Sequence, residues 1–146
     1  MSQFLAMFNS AGPEAFSKMA CQVAPYFGTI NPLVTRLQPG LASVEVPFDK
    51  SITNHLGTVH AIALCNAAEL AAGTMTDVSI PSGARWIPKG MTVEYLAKAK
   101  TGVTATANGD AIDWQSTGDK IVPVDILDTD GTLVFTARIT MNVKLA

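Results

Sequence analysis

The sequence predicts an α+β domain in which a long antiparallel sheet packs around one central, alanine-rich helix, with a second helix near the N-terminus. Three observations carry that prediction. Beyond the N-terminal region only one stretch, Ser51 to Met75, is a candidate for a long helix. Four strand signals follow it and no further helix does. The last of them, Leu133, Phe135, Ala137, Ile139, Met141, Val143 and Leu145, gives seven consecutive matches to a two-residue period. A sheet of that kind buries one face beneath the helix and leaves edges or the other face for a partner.

Taken in order, residues 1–12 read as a tail with an apolar cluster from Phe4 to Phe8. Pro13 and Glu14 suit a first helical turn, because proline tolerates that position and a carboxylate complements the positive dipole end. This helix is placed over 13–24 and stops before Pro25. Gly28 to Gln38 reads as extended, with Pro32 making it an edge strand, and Pro39-Gly40 signals a turn. Leu41 to Phe48 alternates, with Ala42, Val44, Val46 and Phe48 on one face. The central helix is placed over 55–75. Its alanines allow close approach to a sheet, and its lack of charge says that it is wrapped on most sides. Residues 77–90, with Pro81, Gly83, Pro88 and Gly90, read as a loop. Strands are then expected at Met91 to Ala97, Val103 to Ala107, Ile121 to Leu127 and Leu133 to Leu145. Asp128 to Gly131 closes the final hairpin, and Asp110 to Lys120 forms a long hairpin connection.

The 146 residues fit a single domain, and 48% hydrophobic content makes it globular. Charged residues make up only 15%, below the usual quarter, which points to surface covered by a second copy of the chain. A net charge of −2 with scattered cations supplies no basic stripe for nucleic acid. No apolar run is long enough for a membrane span, and no signal peptide is expected. Cys21 and Cys65 match no metal or redox spacing, so a reduced, cytoplasmic setting is the default. His55 and His60 lack a second carboxylate at ligand spacing, and no nucleophilic serine motif or phosphate loop appears. No metal or cofactor is expected.

Polar residues are few in the alanine-rich stretch: Thr58, His60, Asn66, Glu69 and Thr74, with Asn54 just ahead. A buried, unpaired glutamate costs several kcal/mol, so Glu69 either faces solvent, pairs with a lysine or has chemistry to do. His60 reads equally as a capping or core residue. Nine residues of helix would place Glu69 about 180° around from His60 and about 13 Å along the axis. Within one chain such a pair cannot easily share a site, whereas a symmetric dimer can join them.

The segment Asn54-His55-Leu56-Gly57-Thr58-Val59-His60-Ala61, followed by Glu69, resembles the signature of the phenylacetate-type hotdog thioesterases. The later pattern Met91-Thr92-Val93-Glu94-Tyr95-Leu96, with Asp128 to Arg138, is similar to the related DUF4442 family. The resemblance covers roughly residues 15–145. It implies a hotdog fold and an acyl-CoA thioesterase acting on a fatty or aromatic acyl group. Glu69 would be the nucleophile or general base, and the Ala61 backbone N–H at the helix start would hold the oxyanion. Asn54 would hydrogen-bond the carbonyl or water, His60 would order the turn, and Gly57 would give the backbone its freedom. The family usually carries glycines after the histidine; Ala61 and Ile62 stand here and narrow the approach. Coenzyme phosphates would meet Arg85, Lys89, Lys98 or Lys100, and Trp86, Tyr95, Phe48 and Met91 are candidates for an acyl pocket. Homodimers with shared sites, or a tetramer of them, are expected. Two alternatives stay open: a hotdog hydratase or dehydratase that uses His60, and a non-catalytic acyl-CoA-binding domain.

Overall fold

The computed structural model describes residues 2–146. The chain begins with a helix where a tail was expected. Helix α1 spans Gln3–Ala11, started by Ser2, whose Oγ accepts the Leu5 N–H at 3.0 Å. Phe4 and Phe8, one turn apart, set their rings edge-on to Phe16 at 6.0 and 5.6 Å. Pairing of Phe4 and Phe8 with the fully buried Phe16 thus gives the cluster something to fold against.

Helix α2, Pro13–Val23, has Pro13 and Glu14 in its first turn as expected. A 3-10 turn at Pro25–Ile30 takes up part of the stretch read as extended. Asn31, left-handed at φ 49, then feeds Pro32 and a shorter strand β1, Leu33–Gln38. That strand lies at one edge of the sheet, and α2 covers it: Ser17 Oγ accepts the β1 N–H of Val34 at 2.8 Å.

The remaining elements are β2 (Leu41–Val46), α3 (Ala61–Ser79), β3 (Arg85–Tyr95), β4 (Val103–Asn108), β5 (Gly118–Asp128) and β6 (Leu133–Lys144). They form one antiparallel six-stranded sheet in the order β1-β2-β4-β5-β6-β3. Its inner face presents Ala42, Val44, Ala105, Val122, Val124, Ile139 and Met141, all fully buried. Leu64, Ala67, Ala68, Ala71 and Met75 of α3 meet that face, so the helix is the core's second layer. Phe48 does not join the alternation: it follows the end of β2 and is exposed. Leu133 departs in the same way. A register shift opposite Ile126 and Leu127 turns Leu133 outward and buries Val134, and the inward alternation starts at Phe135.

The expected loop over 77–90 is mostly regular structure. Helix α3 continues to Ser79 and β3 starts at Arg85. Pro88 and Gly90 bracket a bulge on β3, the other edge of the sheet, where a proline costs no ladder bond. Gly73 marks a close approach of sheet to helix: a Cβ there would lie 3.0 Å from Cη2 of Trp86. Trp86 fixes that contact by donating its indole N–H to Asp77 Oδ1 at 3.0 Å.

Candidate functional site

Helix α3 begins at Ala61 rather than near residue 55, because the residues ahead of it are strapped into a turn. Thr53 bridges Val59, the Asn54 N–H donates to Thr58 O at 2.9 Å, and Gly57 turns the chain at φ 77. The Asn54 side chain holds this turn from within. Its Oδ1 accepts the N–H groups of Leu56 and Thr58 at 2.9 and 3.2 Å, and its Nδ2 donates to Thr58 Oγ1 at 2.9 Å. One Nδ2 hydrogen then remains for another acceptor. The His60 N–H to Ile52 O bond at 2.8 Å closes the turn, and the Val59 N–H to Ala99 O bond at 2.8 Å pins it to the body.

His60 is the N-cap of α3. It has extended backbone angles (φ −62, ψ 137), and its Nδ1 accepts the Ile62 N–H at 3.0 Å. Accepting at Nδ1 places the proton of the neutral ring on Nε2. Replacing His60 by Ala is expected to cost about 1 kcal/mol of stability, and Asp, a strong N-cap, to restore it. Urea denaturation of the two variants checks this.

Of the first amides of α3, the Ile62 N–H is capped by His60, and the Leu64 N–H reaches His60 O at 3.2 Å. The Ala61 N–H has no acceptor among the described residues. A free donor at the positive end of a nineteen-residue helix is where a developing negative charge is best held. Ala61 is half-buried and Ile62 is 53% exposed, so the two side chains frame the donor without covering it.

The late start of α3 changes the geometry of the pair. His60 is outside the helix, so the angle that matters runs from Ala61 to Glu69. Eight residues bring Glu69 to about 80° around the axis from Ala61 and about 12 Å along it. Ala61, Cys65 and Glu69 therefore climb one flank of the helix, while Leu64, Ala67, Ala68 and Ala71 face the core. Separation along the axis, and not opposition across it, keeps the two groups apart within one chain.

Glu69 is half-buried, and its carboxylate has no hydrogen-bond or ion-pair partner among the described residues. Asp77, the second acid on α3, is bound by Trp86. Glu69 is thus the helix carboxylate left available for chemistry. Cys65, one turn before it, lies 3.7 Å from the Tyr95 hydroxyl, and that contact holds the Tyr95 phenol above its usual range. Tyr95 is on the inward register of β3, opposite the buried Phe135, yet the residue is 55% exposed. Sequence reading picked out Tyr95 but not its contact with Cys65.

The other candidates are scattered. Trp86 is half-buried against Gly73, one turn beyond Glu69, and belongs with that flank. Arg85 is exposed at the far end of β3, opposite Lys144. Lys89 is paired with Asp119 at 3.0 Å, and Gly57 lies on the exposed turn ahead of α3. Asn66 ties α3 to the 3-10 turn, donating to Tyr26 O at 3.4 Å and Thr29 Oγ1 at 3.2 Å. Beside it a cleft of about 210 Å³ opens at the helix start, lined by His60, Ile62, Ala63 and Asn66. A larger groove of about 950 Å³ runs between α2 and strands β1, β2 and β4, and neither Ala61 nor Glu69 lines it. Among the described residues no helix is long and apolar enough to cross a membrane, and no three metal-ligating side chains come together.

Solved structures share this architecture. A structural-genomics crystal structure whose description names no function is 58% identical, with 99% of this chain and 97% of that one covered at a TM-score of 0.90. A thioesterase from Haemophilus influenzae is 16% identical, covered over 87% of both chains at a TM-score of 0.77. A thioesterase family protein from Silicibacter pomeroyi is 17% identical, with 89% of this chain and 96% of that one covered, also at 0.77. The last two likenesses speak to the fold alone, and the fold is the hotdog. No curated protein matches the chain. The model of the family described as a domain of unknown function, DUF4442, matches residues 12–143, nearly the whole chain, and the protein belongs to that family.

Proposed function

We propose that this protein hydrolyses acyl-coenzyme A thioesters as a homodimer, with each site built from the Ala61 amide of one chain and Glu69 of the other. The observation that carries the reading is Glu69, a half-buried carboxylate without a partner among the described residues, on a helix whose other acid, Asp77, is bound by Trp86. Support for two chains comes from the sheet edges. Strand β1 is covered by α2, whereas β3, eleven residues long, has its outer edge open. An open strand of that length is a template for a second copy. Pairing β3 with its symmetry mate runs the two α3 helices antiparallel, the orientation that a site shared between the start of one and the middle of the other requires.

In such a site the Ala61 N–H polarises the thioester carbonyl and holds the oxyanion that forms on attack. Glu69 of the partner chain either takes the proton of the attacking water and passes it to the departing sulfur, or attacks the carbonyl itself to form an acyl anhydride that water then hydrolyses. Collapse of the tetrahedral intermediate breaks the C–S bond and expels the thiolate, which leaves protonated as the free thiol. His60, as the helix cap, shapes the amide that receives the charge. A hydratase would call on His60 for proton transfer, which the cap at Nδ1 leaves to Nε2 alone.

The test is thiol release by the purified protein across short, medium, long and aromatic acyl-CoAs. Stoichiometric free thiol and free acid are expected for at least one class. Conversion of an enoyl or hydroxyacyl thioester without thiol release would instead establish the hydratase reading, and binding without turnover the non-catalytic one.

The dimer carries its own prediction. If Ala61 and Glu69 of opposite chains are level, the twofold axis passes their midpoint, residue 65. A short bis-maleimide should therefore join Cys65 to Cys65 of the second chain. Cross-linking is expected to vanish in Cys65→Ser and persist in Cys21→Ser, as read by denaturing electrophoresis. Persistence in Cys65→Ser would place the interface elsewhere.

A further inference from the structure

Building on the thioesterase reading, the fold also indicates where the charged end of the substrate lies. The segment after β3 is fastened to the entry of α3 by one bond, Val59 N–H to Ala99 O at 2.8 Å. Val59 is two residues before Ala61, and Ala99 is 1% exposed. Its neighbours Lys98 and Lys100 are both exposed, and neither has an acidic partner among the described residues. The other candidate cations differ. Lys89 is neutralised by Asp119, and Arg85 stands at the opposite end of β3.

Distance permits the same pair. The path from Ala61 back to Val59, across to Ala99 and on to Lys98 or Lys100 comes to about 16 Å at most. A pantetheine arm is a chain of amide-linked units about four residue lengths long, so it extends about 14 Å. A thioester carbonyl at the Ala61 amide thus leaves these two ammonium groups within reach of the diphosphate at the end of the arm.

We propose that Lys98 and Lys100 bind the diphosphate of the coenzyme A substrate, so that the nucleotide tail and the oxyanion donor belong to one chain and Glu69 comes from the other. The test compares one acyl group carried on coenzyme A and on pantetheine, which lacks the diphosphate. The double charge reversal Lys98→Glu/Lys100→Glu is expected to lower kcat/KM for the acyl-CoA roughly tenfold or more and leave the acyl-pantetheine unchanged. Arg85→Glu should leave both unchanged. Unaltered acyl-CoA turnover in the double variant overturns the proposal, as does an equal loss on both thioesters, which would mark the lysines as structural. A selective loss in Arg85→Glu overturns it too and moves the tail to the far end of β3. If the unaltered protein hydrolyses neither thioester, the thioesterase reading falls and this proposal with it.

Discussion

Glu69→Gln is expected to lower thioester hydrolysis by roughly two to four orders of magnitude, the usual worth of a positioned acid or base. The substitution keeps the size of the side chain and removes the proton acceptor and the nucleophilic oxygen. Because Glu69 has no partner among the described residues, nothing in the fold depends on its charge. Stability should change by less than about 0.5 kcal/mol, as for substitutions outside a bonded network. Binding of acyl-CoA should persist, so calorimetry on the variant separates a catalytic loss from a misfolded one. Parent-like turnover in Glu69→Gln would falsify the mechanism and leave the carboxylate a structural residue.

The second large effect is expected at Ala61, where the backbone itself is the reactive group. Ala61→Pro deletes the N–H and little else. Proline is favoured at the first helical position, where its missing donor breaks no helical bond. The residue ahead of a proline must be extended, and His60 already is, at φ −62 and ψ 137. The variant should therefore fold, keep the His60 cap on Ile62, and lose about 10²- to 10³-fold in kcat, the range for removal of one oxyanion donor. Ala61→Gly serves as the control. It retains the amide and clears the side chain, so turnover should hold or rise. Equal activity in the proline and glycine variants would remove Ala61 from the site.

The parts of this fold that were legible in the sequence are those where one physical demand dominates. An alanine-rich, charge-poor segment can only be a wrapped helix, and a two-residue alternation from Phe135 to Val143 can only be a strand with one face buried. Glu69 stood out for the same reason, as a carboxylate among alanines. Where two demands compete, the sequence misled. Pro88 and Gly90 read as loop residues because their chemistry fits a turn, but on an edge strand they make a bulge. The sequence places the start of α3 too early because nothing between Thr53 and His60 forbids helix apart from Gly57. A tertiary bond from Val59 to Ala99 and a turn-closing bond from His60 to Ile52 keep that segment out of the helix.

The candidate site followed the same pattern. The expected opposition of His60 and Glu69 assumed both to be helical, and His60 as N-cap is not. The relation that replaced it, between Ala61 and Glu69, depends on knowing the first helical residue. Lys98 and Lys100 could not be ranked above Lys89 from sequence, because the Asp119 that neutralises Lys89 is thirty residues away. Only the alternation Lys98-Ala99-Lys100, a buried small residue between two charges, carried a trace of the attachment.

The central claim, that each site takes its amide from one chain and its carboxylate from the other, is tested most directly by mixing two inactive variants. A dimer of one Ala61→Pro chain and one Glu69→Gln chain has one site with both defects and one with neither. Hydrolysis should therefore reappear on mixing, approaching half the parental rate for a pure mixed dimer. If purified mixed dimers stay as inactive as their parents, the amide and the carboxylate do not work across the interface, and the shared site is wrong.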